Sequence, residues 1–299
     1  MMAIRNVALS IAAAMALAAP AVAADPDWAA VGKALGKSGT VQAGGVYRVG
    51  FPRTDLKVSL DGVALKTGFA FGGWLAFMPM GEQAMVMGDL VMTQDEIMPV
   101  MRKLVDSGIE ITAVHNHLLR AEPMTLYMHV QGRGDPVKLA TALHEALAAS
   151  KTPFSPPPGT AQPNSLDMQG IDRVMGYRGN DAGGIYQFGI PRAQPVTAHG
   201  MKLPPPMGAA IGINFQQTGP DKAAITGDFV LTASEVNPVI KAFKENNIEV
   251  TALHSHMLDE QPRLFFMHFW ANDDALKLAR GLRAALDKVD VQKEVAHAK

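Results

Sequence analysis

A chain that repeats itself at a fixed offset folds as copies of one unit, and this sequence repeats at an offset of 139 residues. Gly44-Gly45-Val46-Tyr47-Arg48-Val49-Gly50-Phe51-Pro52-Arg53 returns as Gly183-Gly184-Ile185-Tyr186-Gln187-Phe188-Gly189-Ile190-Pro191-Arg192. Gly88-Asp89-Leu90 returns as Gly227-Asp228-Phe229, and Glu96 with Pro99 as Glu235 with Pro238. The offset holds from residue 44 past residue 280, a nearly gap-free duplication of about 125 residues. Two units of that length make a tandem pair and not a solenoid, whose period is shorter and which needs at least three repeats.

Between the copies, residues 151–163 carry five prolines in thirteen positions, a semi-rigid extended linker. The N-terminus has its own character. Arg5 is followed by an apolar run from Val7 to Ala19 and by the small residues Pro20-Ala21-Val22-Ala23-Ala24, the pattern of a secretory leader cleaved after Ala23 or Ala24. That run is too short for a membrane span, and no later stretch reaches transmembrane length. The expected organisation is a signal peptide (1–24), a first unit (25–150), a Pro-rich linker (151–166), a second unit (167–290) and a C-terminal tail (291–299). The mature protein is expected to be exported, periplasmic or extracellular, with no integral membrane segment after signal cleavage.

Each unit reads as mixed α and β. A helix is expected over Trp28 to Leu35, then strands near Gly45–Phe51, Phe69–Pro79 and Ala84–Val91. Asp61-Gly62 in the run from Val58 to Leu65 supplies the positive φ of a tight hairpin turn. Thr93-Gln94-Asp95-Glu96 has the form of a capping box, repeated as Thr232-Ala233-Ser234-Glu235, and this cap role accounts for both glutamates. Ile97, Val100, Met101, Leu104 and Val105 fall at helical spacing, with Gly108 closing the helix and Pro99 and Pro238 bending it at the same point. A strand from Ile109 to His117 and another from Met124 to Gln131 follow, and Asp135-Pro136 opens a last helix. The fold class is α+β: two tandem homologous units, each a mainly antiparallel sheet with helices. The C-terminal half of each has the order β-α-β-β-α, ferredoxin-like without its last strand. Two separate domains and one shared pseudo-symmetric sheet both satisfy the sequence.

Six of the nine histidines belong to the repeat: His115, His117 and His129 in the first copy, His254, His256 and His268 in the second. On a regular strand Ile109, Ile111, Ala113, His115 and His117 share one face, which turns from apolar to imidazole. An H-x-H pair places two imidazoles on one side, roughly 7 Å apart at the backbone. That spacing suits two ligands of one metal ion, and neutral imidazole favours zinc, copper, nickel or iron. His129 or His268, on the antiparallel neighbour, completes three ligands, and an open fourth position is the mark of a catalytic site. A turn centred near Ala121 places His129 opposite Ala113; one centred near Glu122 places it opposite His115. Asp89 and Asp228 are the candidate acidic partners.

The composition removes several alternatives. With no cysteine there is no disulfide, thiolate ligand or lipid-modified cysteine, and a net charge of -1 gives no basic patch for nucleic acid. Met78-x-Met80 and Met85-x-Met87 invite a copper reading, but the repeat replaces them with Gln217, Gly219, Ala224 and Thr226, so they read as core filler. His115-Asn116-His117 spells the name of the HNH nucleases by coincidence, since the second copy reads His-Ser-His. The two-histidine phosphoesterases match only in part, because the third position of each motif is His and not a hydroxyl residue. Neither a nucleotide cofactor motif nor a G-x-S-x-G or H-E-x-x-H signature is present.

With these segments in view, the chain resembles the LppY/LpqO family of exported bacterial proteins, built on a tandem domain of unknown function. The resemblance rests on Gly44-Gly45-Val46-Tyr47, Gly88-Asp89, Glu96, Thr112-Ala113-Val114-His115-Asn116-His117, Met128-His129 and their second-copy counterparts. It covers nearly all of the mature chain and implies export and duplication, but no activity. The lipid anchor of the family's mycobacterial namesakes does not carry over to a chain without cysteine. The functional expectation is a His-based divalent-metal site, zinc or a similar ion, used for hydrolysis or for binding an unknown small ligand. The alternative is a non-enzymatic binding or scaffold module whose histidines line a ligand groove.

Overall fold

The computed structural model describes residues 26–155 and 164–293. The expected leader, the centre of the Pro-rich linker and the end of the C-terminal tail lie outside the described residues. Each unit builds its own six-stranded sheet, so the copies do not share one. In the first unit the order across the sheet is Thr40–Val41, Tyr47–Pro52, Gly72–Met80, Gln83–Thr93, Thr125–Gly134 and Glu110–His115. The second unit repeats it with Asn180–Asp181, Ile185–Pro191, Ala210–Gly219, Lys222–Leu231, Phe265–Asp274 and Glu249–His254. Every neighbouring pair is antiparallel. The α+β reading and the β-α-β-β-α order hold in both copies.

The central strands are buried on both faces, and period-2 alternation sorts their side chains into two layers. Leu75, Phe77, Val86, Leu90, Met128 and Val130 pack under the unit's own helices, Trp28–Leu35, Ile97–Asp106 and Pro136–Leu147, with Val31, Leu104 and Leu143. The alternate residues turn toward the other unit. Ala76, Met78, Met85 and Met87 join Met207, Ile211 and Ile213 of the second unit in one apolar cluster. Three of the four methionines of the copper reading are therefore core filler between the units, and the fourth, Met80, packs partly buried against the same cluster. The Asp61-Gly62 turn forms as expected, with φ of 47° and 79°, between the short strands Val58–Leu60 and Val63–Leu65. This hairpin packs with Phe69, Tyr127 and Trp270 in a third cluster that again spans both units.

Two local expectations need correction. First, the strand Glu110–His115 is not regular. A β-bulge falls between Ile111, which pairs with Val130, and Ala113, which pairs with His129. The extra residue, Thr112, reverses the alternation, so Ile109 and Ile111 stay with the helix-side core while His115 joins the opposite face. Val250, paired with Phe269, and Ala252, paired with His268, flank the same bulge at Thr251 in the second unit. The strands also end at His115 and His254, leaving His117 and His256 on the following connection.

Second, the glutamates do more than cap helices. Glu235 completes a capping box with Thr232, but the first-unit helix starts only at Ile97, because Thr93 gives its hydroxyl to Asp95. Pro99 thus sits in a first turn, where its missing N–H costs nothing, while Pro238 lies inside a helix. Glu96 accepts two bonds from the fully buried Arg53 (2.6 and 3.2 Å) and one from the Lys151 backbone N–H (2.7 Å). Glu235 does the same with Arg192 (2.8 and 3.1 Å) and the Asp290 N–H (2.8 Å). These hubs tie the end of the Tyr47–Pro52 strand (Ile185–Pro191 in the second unit), the helix start and the chain beyond the last helix together.

Candidate metal centre

Adjacent strands supply the centre. Asp89 lies opposite His129 across one strand pair, and Asp228 opposite His268 in the copy. Ala113 flanks His129 on the other side, the register of the turn centred near Ala121, and the bulge then carries His115 onto the same face. The glycine before each aspartate is required by close packing. A Cβ on Gly88 would stand 2.5 Å from Leu75 Cδ2, and one on Gly227 would stand 2.1 Å from the Gly212 carbonyl oxygen.

The two faces meet, and all six histidines enter one cluster. His115 stacks on His254 with ring centroids 3.5 Å apart, His117 on His268 at 3.7 Å, and His129 on His256 at 3.7 Å. Each pair joins the two units. The outer faces are closed by Tyr127 against His117 (3.2 Å) and by its repeat counterpart Phe266 against His256 (3.6 Å). The bulge residues lock the junction: Thr112 Oγ1 donates to the His256 carbonyl (2.6 Å), and Thr251 Oγ1 to the His117 carbonyl (2.5 Å). Each unit thereby holds the other's H-x-H segment. Tyr127, Phe266, Thr112 and Thr251 escaped the sequence reading; their matched positions in the repeat were the available signal.

The nitrogens are arranged as ligands. His268 Nδ1–H donates to the Gly227 carbonyl (2.8 Å) and His115 Nδ1–H to the Asn116 carbonyl (3.1 Å), which leaves Nε2 of each ring as the bare lone pair. Nε2 of His115, His117, His129 and His268, Nδ1 of His254 and one oxygen each of Asp89 and Asp228 are buried without a hydrogen-bond partner. Buried polar atoms are nearly always paired, so seven orphans in one place call for a common partner. The geometry fits a cation. Two ligands each about 2 Å from one ion are at most about 4 Å apart. His129 Nε2 and Asp89 Oδ1 are 3.7 Å apart, His256 Nδ1 and Asp228 Oδ2 3.8 Å, and His268 Nε2 and Asp228 Oδ1 3.9 Å, while His254 Nε2 and His256 Nε2 are hydrogen-bonded to each other at 2.9 Å. Ligand atoms within 4.8 Å of one another form two sets, His115 with His117 and His129, and His115 with His254, His256 and His268.

Burial sets the protonation states. It lowers the pKa of all six imidazoles, His115 to about 4 and His268 to about 3, and neighbouring imidazoles lower those of His117, His129, His254 and His256 further. Burial raises Asp89 to about 7 against the pull of Arg48, and raises Asp228 well above the carboxylate range with Asp89 adding to the effect. The rings are thus neutral, the form that binds a metal, and the carboxyls hold protons that a cation would displace.

One side of the cluster opens on a cavity of about 690 Å³. Asp89, Asp228, His117, His129, His256 and His268 line it together with Arg48, Trp74, Gln187 and Asn214. Those last four residues were not expected. For Arg48 a signal existed, since Arg against Gln187 is a charge change within an otherwise matched segment.

The chain belongs to the family described as "Domain of Unknown Function (DUF1259)", whose model matches it twice, over residues 29–149 and 169–288. No curated protein matches. Among solved structures it is similar to a trimeric bacterial microcompartment shell protein, PduB, at 12% identity, with 85% of this chain and 96% of that one covered and a TM-score of 0.20. It is also similar to EtuB from Clostridium kluyveri at 8% identity, with 83% and 90% covered and a TM-score of 0.19. Likeness this slight bears on neither function nor assembly.

Proposed function

We propose that this member of the family is a divalent-metal protein, with zinc or a similar ion held by the His115, His117, His129, His254, His256, His268, Asp89 and Asp228 group, and that the ion acts on a small ligand in the adjoining cavity. The observation that supports the reading is that seven buried ligand-type atoms of this one His–Asp cluster have no hydrogen-bond partner. Neutral imidazoles with two carboxyls form a borderline donor set, suited to zinc and its first-row neighbours and poorly suited to calcium or magnesium. A zinc-type ion held by these residues would supply Lewis-acid activation of water near neutral pH, the chemistry of hydrolysis. The chain's own contribution is to keep the imidazoles unprotonated and to orient His115 and His268 through their backbone bonds. The narrower kinship with the exported LppY/LpqO proteins belongs to the same proposal, as does the export route; both are supported by the matched segments and the apolar run after Arg5.

Elemental analysis of tag-free protein after zinc repletion tests the reading. At least one ion per chain is expected, and less than about 0.1 would sink it, since a buried site of this kind retains its metal through purification. His115→Ala and His117→Ala should each weaken the dependence of melting temperature on zinc. A second reading, a binding module without metal, is favoured by one observation: four of the histidines line the cavity directly. A metal-free protein that still binds a small ligand would select it.

A further inference from the structure

We propose that the cavity takes a small molecule carrying an oxyanion, carboxylate or phosphate, whose charged group sits on Arg48 while the remainder reaches the His–Asp centre; the second half of this statement rests on the metal reading above. Arg48 is the only lysine or arginine among the described residues lining the cavity, which two carboxyls also line. It is held in place from both units. Its guanidinium lies over the Trp74 ring, 4.0 Å from the centroid, and donates to the Pro206 carbonyl of the second unit. The loop carrying Pro206 closes tightly on the same indole, since a Cβ on Gly208 would come within 3.0 Å of Trp74. Fixing a planar fork in this way removes the flexibility that a binding arginine would otherwise lose.

What distinguishes Arg48 is partial burial without a local carboxylate. Arg53, Arg192 and Arg283, the other described arginines that are not solvent-exposed, each meet a carboxylate within 4.0 Å, whereas Arg48 takes part in none of the ion pairs among the described residues. The carboxyl that acts on it electrostatically is Asp89, which lines the same cavity. A half-buried guanidinium with unused donors, facing a ligand-sized space, is the arrangement that recognises a carboxylate or phosphate in bidentate fashion. A cation at the centre and an anion on Arg48 would attract one another across the shared cavity, so each should strengthen the other's binding, by the same factor. The repeat adds direction. The counterpart of Arg48 is the neutral Gln187, which also lines the cavity, and the counterpart of Trp74 is Ile213. The pocket is therefore cationic on one side only, and its ligand should carry one anionic end.

The test measures metal content first, then titrates the full chain with benzoate, phenyl phosphate and the neutral analogue benzamide, following tryptophan fluorescence and calorimetry. Binding of one anion at least about tenfold tighter than benzamide is expected, as for a charge-assisted bidentate contact. The Arg48→Gln chain, which carries the residue of the second copy, should lose that preference without losing zinc, and Arg48→Lys should keep part of it. The benzoate and phenyl phosphate arms separate a carboxylate ligand from a phosphate ester. Equal binding of anion and benzamide, or an anion preference that survives Arg48→Gln, would overturn the assignment. If the chain takes up no metal, the proposed function falls on that result alone. An Arg48-dependent anion preference in the metal-free chain would then still support the oxyanion subsite, and its absence would overturn it.

Discussion

Metal uptake by this centre should release protons from its carboxyls and almost none from its histidines. At pH 6, six imidazoles of ordinary pKa would hold about four to five protons in all. Here burial makes them neutral, with His115 lowered to about 4 and His268 to about 3. Asp89, raised to about 7, is roughly nine-tenths protonated at pH 6, and Asp228 is shifted in the same direction. A bound water ionising near 7 adds about a tenth of a proton. Zinc binding at pH 6 should therefore release about one to two protons per chain. The measurement is calorimetric titration of zinc into metal-free protein in buffers of different ionisation enthalpy, where the slope of apparent enthalpy gives the proton count. Asp89→Asn should lower the count by about one, and Asp228→Asn should lower it further in the same direction. A count of four or more, or one indifferent to both substitutions, would show that the histidines are protonated in the free protein and that the burial argument is wrong.

Three further outcomes follow from the packing. In the metal-free chain the lowered histidine pKa values mean that unfolding takes up protons below the unfolded value of 6.5, so stability present above that pH is lost as pH falls toward about 4. The two aspartates oppose this, since their raised values add stability that is lost as pH rises to about 7; six imidazoles outweigh two carboxyls, and urea midpoints should fall steeply from pH 6.5 to 5, a flat profile being the contrary result. Glu235→Gln strips Arg192 of its carboxylate and should cost about 3–5 kcal/mol, whereas Glu96→Gln leaves Arg53 its second partner, Asp55 at 2.8 Å, and should cost less; equal losses in urea unfolding would refute the ranking. Gly227→Ala, with its Cβ 2.1 Å from a backbone oxygen, should cost about 2–3 kcal/mol, while Gly189→Ala, in a strand with nothing within 4 Å, should cost less than about 1 in the same assay.

Much of this architecture was legible because the repeat doubles every local signal. The Trp28–Leu35 helix and the Asp61-Gly62 turn follow from short-range pattern, whereas pattern left His129 opposite either Ala113 or His115 and the structure pairs it with Ala113. What escaped is what short-range pattern does not carry. A one-residue bulge leaves no trace in composition, so the strand ahead of His115 read as a regular one, with its isoleucines and its imidazole on one face. Thr112 and Thr251, polar residues at matched positions between apolar neighbours, were its only sign. The glutamates read as caps because the motif is local, whereas their partners Arg53 and Arg192 lie 43 residues earlier in the chain. Arg48 lies inside a matched segment, and its signal is the one charge difference there, Arg against Gln187, which similarity between the copies does not carry.

Duplication also explains why the centre is single. One unit alone presents three histidines and one aspartate on a sheet face with no cover, and the bulge that turns His115 outward also exposes the Thr112 hydroxyl. When the two faces meet, that hydroxyl binds the carbonyl of His256 and its counterpart binds the carbonyl of His117. The contacts that dock the units are thus the contacts that position the ligands. The same meeting buries both carboxyls and all six rings, which raises the former and lowers the latter toward the protonation states described above. A cation at the junction would relieve the desolvated acids and the unpartnered nitrogens together, so metal affinity and the cohesion of the two units should rise and fall as one quantity.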